Sequence, residues 1–175
     1  FRSDDSLDLN LEEVKQISAT VKEVEEPKNV PFPQADTFTR ILDMIDYIYE
    51  RKNKYELAEA YDFDLRQSDY YANALVYLGL ATKQDYYFKL NNEGIKIKNM
   101  HNSNKRNALI ISKILSHKPF KLAFDSTLKN GGEYDRKYIS KVLLDNVKSI
   151  NSISTANRRM QTVIAWLNWI FSVIE

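Results

Sequence analysis

Cysteine is missing from all 175 residues. Its absence excludes a disulfide framework, a Cys-ligated metal and a thiol nucleophile, and it fits an intracellular, cytoplasmic protein. Only two histidines occur, His101 and His117. Neither has metal-ligand spacing or a partner motif, and both read as surface residues in turn segments. Four glycines form no phosphate-cradling loop. No apolar run approaches the roughly 18 residues of a membrane span, so no membrane partner is expected. The polar opening Phe1-Arg-Ser-Asp-Asp5 lacks the apolar segment of a signal peptide. It also lacks an initiating Met, which fits a fragment of a longer protein. Glu13-Val-Lys15 and Glu26-Pro-Lys28 each match half of a nuclease metal motif, but neither has a strand setting, and such triplets arise by chance in any charged chain.

What is present is charge with an uneven distribution. Net charge is +1. Residues 1–36 hold 4 Lys/Arg against 9 Asp/Glu, residues 37–100 hold 9 against 10, and residues 101–175 hold 12 against 5. A basic C-terminal half is the footprint of phosphate contact. A solvated Lys-rich surface gives the same count.

Three segments follow from pattern. Residues 1–36 read as an acidic lead, with room for one amphipathic helix over Leu7–Val24, and a linker made extended by Pro27, Pro31 and Pro33. Residues 37–102 read as a first module. Thr37 is a candidate N-cap, and Phe38, Ile41, Leu42, Ile45, Ile48 and Tyr49 recur at helical spacing. Residues 103–175 read as a second module, with helices around Ala108–Leu115, Phe120–Leu128 and Tyr138–Leu143. A long last helix is capped by Ser154-Thr155 and runs toward Ile174.

The most informative stretch is Glu56-Leu-Ala-Glu-Ala-Tyr61, a turn Asp62-Phe63-Asp64, and a second helix Leu65–Leu78 stopped by Gly79. This is helix-turn-helix grammar. A strand-like run, Tyr86–Leu90, follows it and makes Ala81–Leu90 a candidate wing. Arg66, Gln67, Ser68, Tyr70 and Asn73 are candidate DNA contacts; Arg66, Gln67, Tyr70 and Asn73 share the outer face, with Leu65, Ala72, Leu75 and Leu78 inward. Arg forks onto guanine, and Gln and Asn match adenine. Lys83 and Lys89 on the wing are candidate backbone contacts. In the last helix, Thr155, Asn157, Arg158, Arg159, Gln161 and Thr162 form a second candidate surface. Two arginines in its first turns oppose the helix dipole unless they face an anion. Trp166 and Trp169 read as core.

Phe63–Ala74 with Tyr77-Leu-Gly-Leu80, and Ser154-Thr155, Arg158-Arg159, Thr162, Trp166 and Trp169, resemble the two helix-turn-helix motifs of a region found in bacterial type II restriction endonucleases and related restriction-modification proteins. The resemblance covers about residues 37–175. It implies a DNA-binding region beside a separate nuclease domain, which would hold the Mg2+. No such domain is legible here, so no catalytic residue, metal site or cofactor is expected in this chain. The combined expectation is a mostly α protein with small β wings, built as tandem winged-helix modules, that binds double-stranded DNA as the target-recognition part of a restriction endonuclease. A complete metal-dependent nuclease with an unrecognised site and a winged-helix protein-interaction module stand as alternatives. The DNA target, the oligomeric state and the attachment of a nuclease domain are not legible.

Overall fold

The computed structural model describes residues 9–174. The elements there are α1 (Leu11–Thr20), α2 (Phe38–Tyr47), β1 (Lys52–Asn53), α3 (Lys54–Tyr61), α4 (Leu65–Tyr77), β2 (Ala81–Gln84), β3 (Tyr87–Leu90), α5 (Asn92–Lys98), α6 (Ser103–Leu115), α7 (Lys118–Lys129), α8 (Arg136–Asn146) and α9 (Ile153–Ser172). The fold is mostly helical with one small antiparallel sheet of strand order β1-β3-β2, which matches the expected class. The chain forms two compact units: Pro27–Asn99, and Phe1–Glu26 with Met100–Glu175.

In the unit Pro27–Asn99, α4 packs on both α2 and α3. Asn53 and Asp64 each close a capping box at the start of α3 and α4, so the short turn between the helices is pinned on its α4 side. Phe63 N–H donates to Ala58 O at 3.1 Å across this turn. Helix α4 ends in a Schellman motif at Gly79, φ +76°: Gly79 N–H donates to Val76 O and Leu80 N–H to Leu75 O, with glycine carrying the left-handed conformation. The chain then enters the hairpin, where Gln84 pairs with Tyr87. Only Asp85 and Tyr86 lie between, both at positive φ, 50° and 70°, the signature of a type I′ turn. Leu57, Leu75, Leu80 and Phe88 fill the core beneath. Gly94 lets α5 approach closely, because a Cβ there would lie 2.1 Å from Leu80 O.

Leu65 departs from expectation: it is 40% exposed. The buried stripe Ser68, Tyr71, Ala72, Leu75, Leu78 starts one turn later and leaves the first residue of α4 outside the core. The proline-containing segment carries no helix or strand, as expected, but it is not a bare linker. Phe32 and Ala35 are buried, and the Phe32 ring meets the Tyr77 ring edge-on at 5.7 Å.

In the other unit, α1 packs on α6, and α7 contacts α6, α8 and α9. The expected acidic lead therefore splits: its described part up to Glu26 docks here, and residues 27–36 join the first unit. Lys121 Nζ donates to Ser18 O at 2.7 Å and pairs with Asp125 at 3.1 Å, while Ser18 Oγ donates to Asp125 at 2.7 Å. His117, expected at the surface, is 2% exposed. Its Nδ1 donates to Glu26 Oε1 at 2.8 Å, and Val24 N–H donates to Ser116 O at 2.9 Å. The carboxylate arriving from the lead makes burial of an imidazole tolerable. Trp166 is fully buried and stacks on Phe120 at 4.9 Å. Residues 100–174 contain no strand.

Candidate nucleic-acid interface

The first surface gathers the start of α4 and the β2–β3 hairpin. Arg66 is exposed in the first turn of α4. Gln67 is exposed too, but its side chain belongs to the cap: Gln67 N–H donates to Asp64 Oδ1 at 2.7 Å, and Asp64 N–H donates back to Gln67 Oε1 at 3.4 Å. Ser68 is buried and donates to Asp64 O at 3.0 Å. Asn73 is buried as well, because the later turns of α4 are enclosed on more than one side. Asn73 therefore does not stand on the outer face expected of it, and Ser68 is not exposed for the contact expected of it. Tyr70 is half-buried. Tyr71 is buried, and its hydroxyl accepts from Thr37 N–H at 3.0 Å, so it packs rather than stands at the surface.

Lys83 and Lys89 are exposed on the hairpin. Lys83 Nζ lies 3.4 Å from Asp69 of α4 and 5.0 Å from the Phe88 ring centroid, tying wing and helix together. Strand alternation puts Lys89, Tyr87 and Thr82 on the opposite face of the sheet from Phe88. There Arg51 sits 4.4 Å from the Tyr87 ring centroid. Three acids crowd the start of α4. Asp64 is engaged as the cap and Asp69 with Lys83, which leaves Asp62 as the exposed carboxylate nearest Arg66 in sequence.

The second surface lies at the start of α9. Ser152, not Ser154-Thr155, is the N-cap: its Oγ accepts from Thr155 N–H at 3.2 Å. Thr155 is half-buried, and its Oγ1 accepts from Ser152 and from Arg158 at 3.0 and 3.3 Å. Asn157, Arg158 and Gln161 are exposed. Asn157 Oδ1 accepts from Ser140 Oγ at 3.1 Å, which clamps α8 to α9. Arg159 is half-buried and has a partner within the fold. Thr162 is buried, contrary to expectation: it lies one turn beyond Arg158, where the helix enters the core beside Val163 and Trp166. The arginines begin in the second turn of α9, where the dipole cost is small because that effect fades within the first turn. Residues 146–174 contain neither Asp nor Glu. Exposed Ser152 and Ser154 share this helix start with Arg158, exposed Lys148 precedes it in sequence, and the last carboxylate before it is Asp145, paired with Lys141.

Sequence reasoning missed two exposed groups. Tyr86 tops the hairpin at 83% exposure, and Ile153 opens α9 at 65%. The Tyr86 signal was available: two alternating runs separated by two residues make a tight turn even without glycine.

Glu13 and Lys15 lie on α1, a helix and not a strand. Among the described residues no group of His, Cys, Asp or Glu is arranged to hold a metal, and no helix is long and apolar enough to cross a membrane. Shifted pKa values fall elsewhere. Tyr61 is pushed up to about 12, first by burial and then by Asp43, Tyr47 and Asp46. Burial raises Tyr134, whose hydroxyl donates to Asn168. The hydrogen bond to Asp145 raises Lys141.

The family described as Domain of unknown function (DUF7226) matches residues 40–175. No curated protein and no solved structure matches the chain.

Proposed function

Starting from a chain that belongs to the DUF7226 family, we propose that it binds double-stranded DNA, with Pro27–Asn99 acting as a winged-helix module. The observation that carries this reading is an order of elements: α2, β1, α3, turn, α4, then a hairpin, with strand order β1-β3-β2. Exposed Arg66 stands at the start of the second motif helix, and Lys83 and Lys89 stand on the wing. A helix of this kind enters the major groove by its first turns. Arg66 reads a guanine there, and the wing lysines follow the phosphates. The start of α9 supplies a second phosphate-contacting surface through Arg158 and Lys148, helped by the acid-free run that follows Asp145. The resemblance noted above extends the proposal to target recognition within a restriction-modification system, with cleavage by another domain.

A protein-interaction role is the competing reading, and Asp62, Asp64 and Asp69 around Arg66 favour it. Anisotropy titration of a labelled random duplex against salt separates the two. With six phosphate contacts, log affinity falls with log salt at a slope of about −5. No binding at low salt rejects the DNA reading.

A further inference from the structure

We propose that the cleft between the start of α3, the first turns of α4 and the β2–β3 hairpin holds one unpaired nucleobase with a donor edge, guanine above all and not thymine, from the DNA this unit binds. The inference rests on the DNA-binding reading above and adds a ligand to the cleft beside Lys83, a wing residue that reading also uses.

The cleft measures about 520 Å³, within the roughly 300–1,000 Å³ of small-ligand pockets. Three tyrosines line it, Tyr55, Tyr86 and Tyr87, and the first two lie largely in water, at 62% and 83% exposure. A stacked base would cover such faces whatever its sequence context. Tyr86 also holds a left-handed backbone, φ 70°. A type I′ turn favours Asn-Gly at its two central positions. Here Asp-Tyr occupies them, and a strained residue of this kind points to a role for its side chain.

The polar lining selects the ligand. Lys54 and Lys83 bring positive charge beside the rings: Lys54 Nζ is 5.8 Å from the Tyr55 centroid and Lys83 Nζ is 5.0 Å from that of Phe88. They suit a nucleotide's phosphate. Asp69 and Asp85 line the same cleft, and ionised carboxylates only accept hydrogen bonds. They match the N–H groups of guanine and the amino groups of cytosine and adenine, and they oppose thymine, whose single N–H is flanked by two carbonyl oxygens. In a paired duplex each base face is covered by its stacked neighbours and guanine N1–H is occupied, so a base stacked on these rings must be unpaired. The Lys83–Asp69 pair, 3.4 Å apart with both side chains more than a third exposed, is weak enough to open for a ligand.

Three labelled duplexes test this by anisotropy: fully paired, with one unpaired guanine, and with one unpaired thymine. The guanine bulge is expected to bind at least about fivefold tighter than the paired duplex, the lower bound of one base–aromatic stack, and the thymine bulge less tightly than the guanine bulge. Tyr86→Asn keeps a residue that accepts positive φ and removes the ring. It should abolish the gain, so that the variant binds the guanine bulge and the paired duplex alike, whereas Tyr86→Phe should keep the gain. Equal affinity for all three duplexes, or a gain that survives Tyr86→Asn, overturns the inference while leaving duplex binding intact. A titration of guanosine monophosphate followed by NMR reads the cleft without any duplex. Shifts of the Tyr55 and Tyr86 ring signals support the inference even if duplex binding fails, and their absence at millimolar nucleotide overturns it.

Discussion

Neighbouring side chains on one helix turn do different work. Arg66 and Gln67 adjoin at the start of α4, but Gln67 closes the Asp64 capping box and Arg66 does not. Arg66→Ala is therefore expected to leave thermal stability nearly unchanged and to cost roughly 1–3 kcal/mol of discrimination at one base pair, measured by competition between duplexes. Asp64→Ala should instead lower stability by about 1 kcal/mol in urea unfolding. Tyr61 gives a pH signature. It lies between Tyr47 and Phe63, with ring centroids at 5.7 and 5.4 Å, and its pKa rises from 10.0 to about 12 on folding. The unfolded chain then loses this proton first, so the stabilisation is intact below pH 10 and is lost as pH rises toward 12. Tyr61→Phe should flatten that alkaline decline in melting temperature, and an unchanged decline would contradict the assignment. Spacing alone separated inner from outer residues for Ala72, Leu75 and Leu78. It failed at Leu65 and Asn73, because periodicity reports a face and not where along the helix the core begins and how far it wraps.

Helices were the most legible elements. Repeats of Ile, Leu and Val marked α2 and α6 to α9 within a few residues, since burying an apolar stripe at a period of 3.6 leaves a strong pattern. Their ends were less so. Ser152, Ser154 and Thr155 can all cap a helix, and only the backbone turn at Ser152, φ −141°, ψ 152°, decides among them. Docking of α1 was not legible either, because it depends on Ser18, Lys121 and Asp125, polar residues more than a hundred positions apart. Within α9, structure and contact separate along the helix. Trp166→Ala removes a fully buried ring stacked on Phe120 and should cost about 3–5 kcal/mol by denaturant unfolding. Arg158→Ala, at an exposed position, should leave stability unchanged, weaken binding to all duplexes alike and reduce the salt slope by about 1. Loss of stability with intact binding would make Arg158 a structural residue.

At the scale of the whole chain, charge and composition bounded the class of function without locating it. The excess of Lys and Arg after residue 100 is partly engaged in structure, as at Lys121 and Lys141. The residues left at the surface, not the total, decide what a phosphate meets. Purified protein incubated with plasmid and Mg2+ or Mn2+ is expected to leave it uncut, and specific cutting that survives repurification would promote the nuclease alternative. The central claim, that the start of α4 with the hairpin in one unit and the start of α9 in the other each contact duplex DNA, is met most directly by backbone amide NMR during titration with a short duplex at low salt. Shifts should concentrate at Leu65–Asp69, Lys83–Lys89 and Asn151–Arg158, and reverse as salt is added. Shifts confined to other parts of the chain, or none at all, would contradict the account.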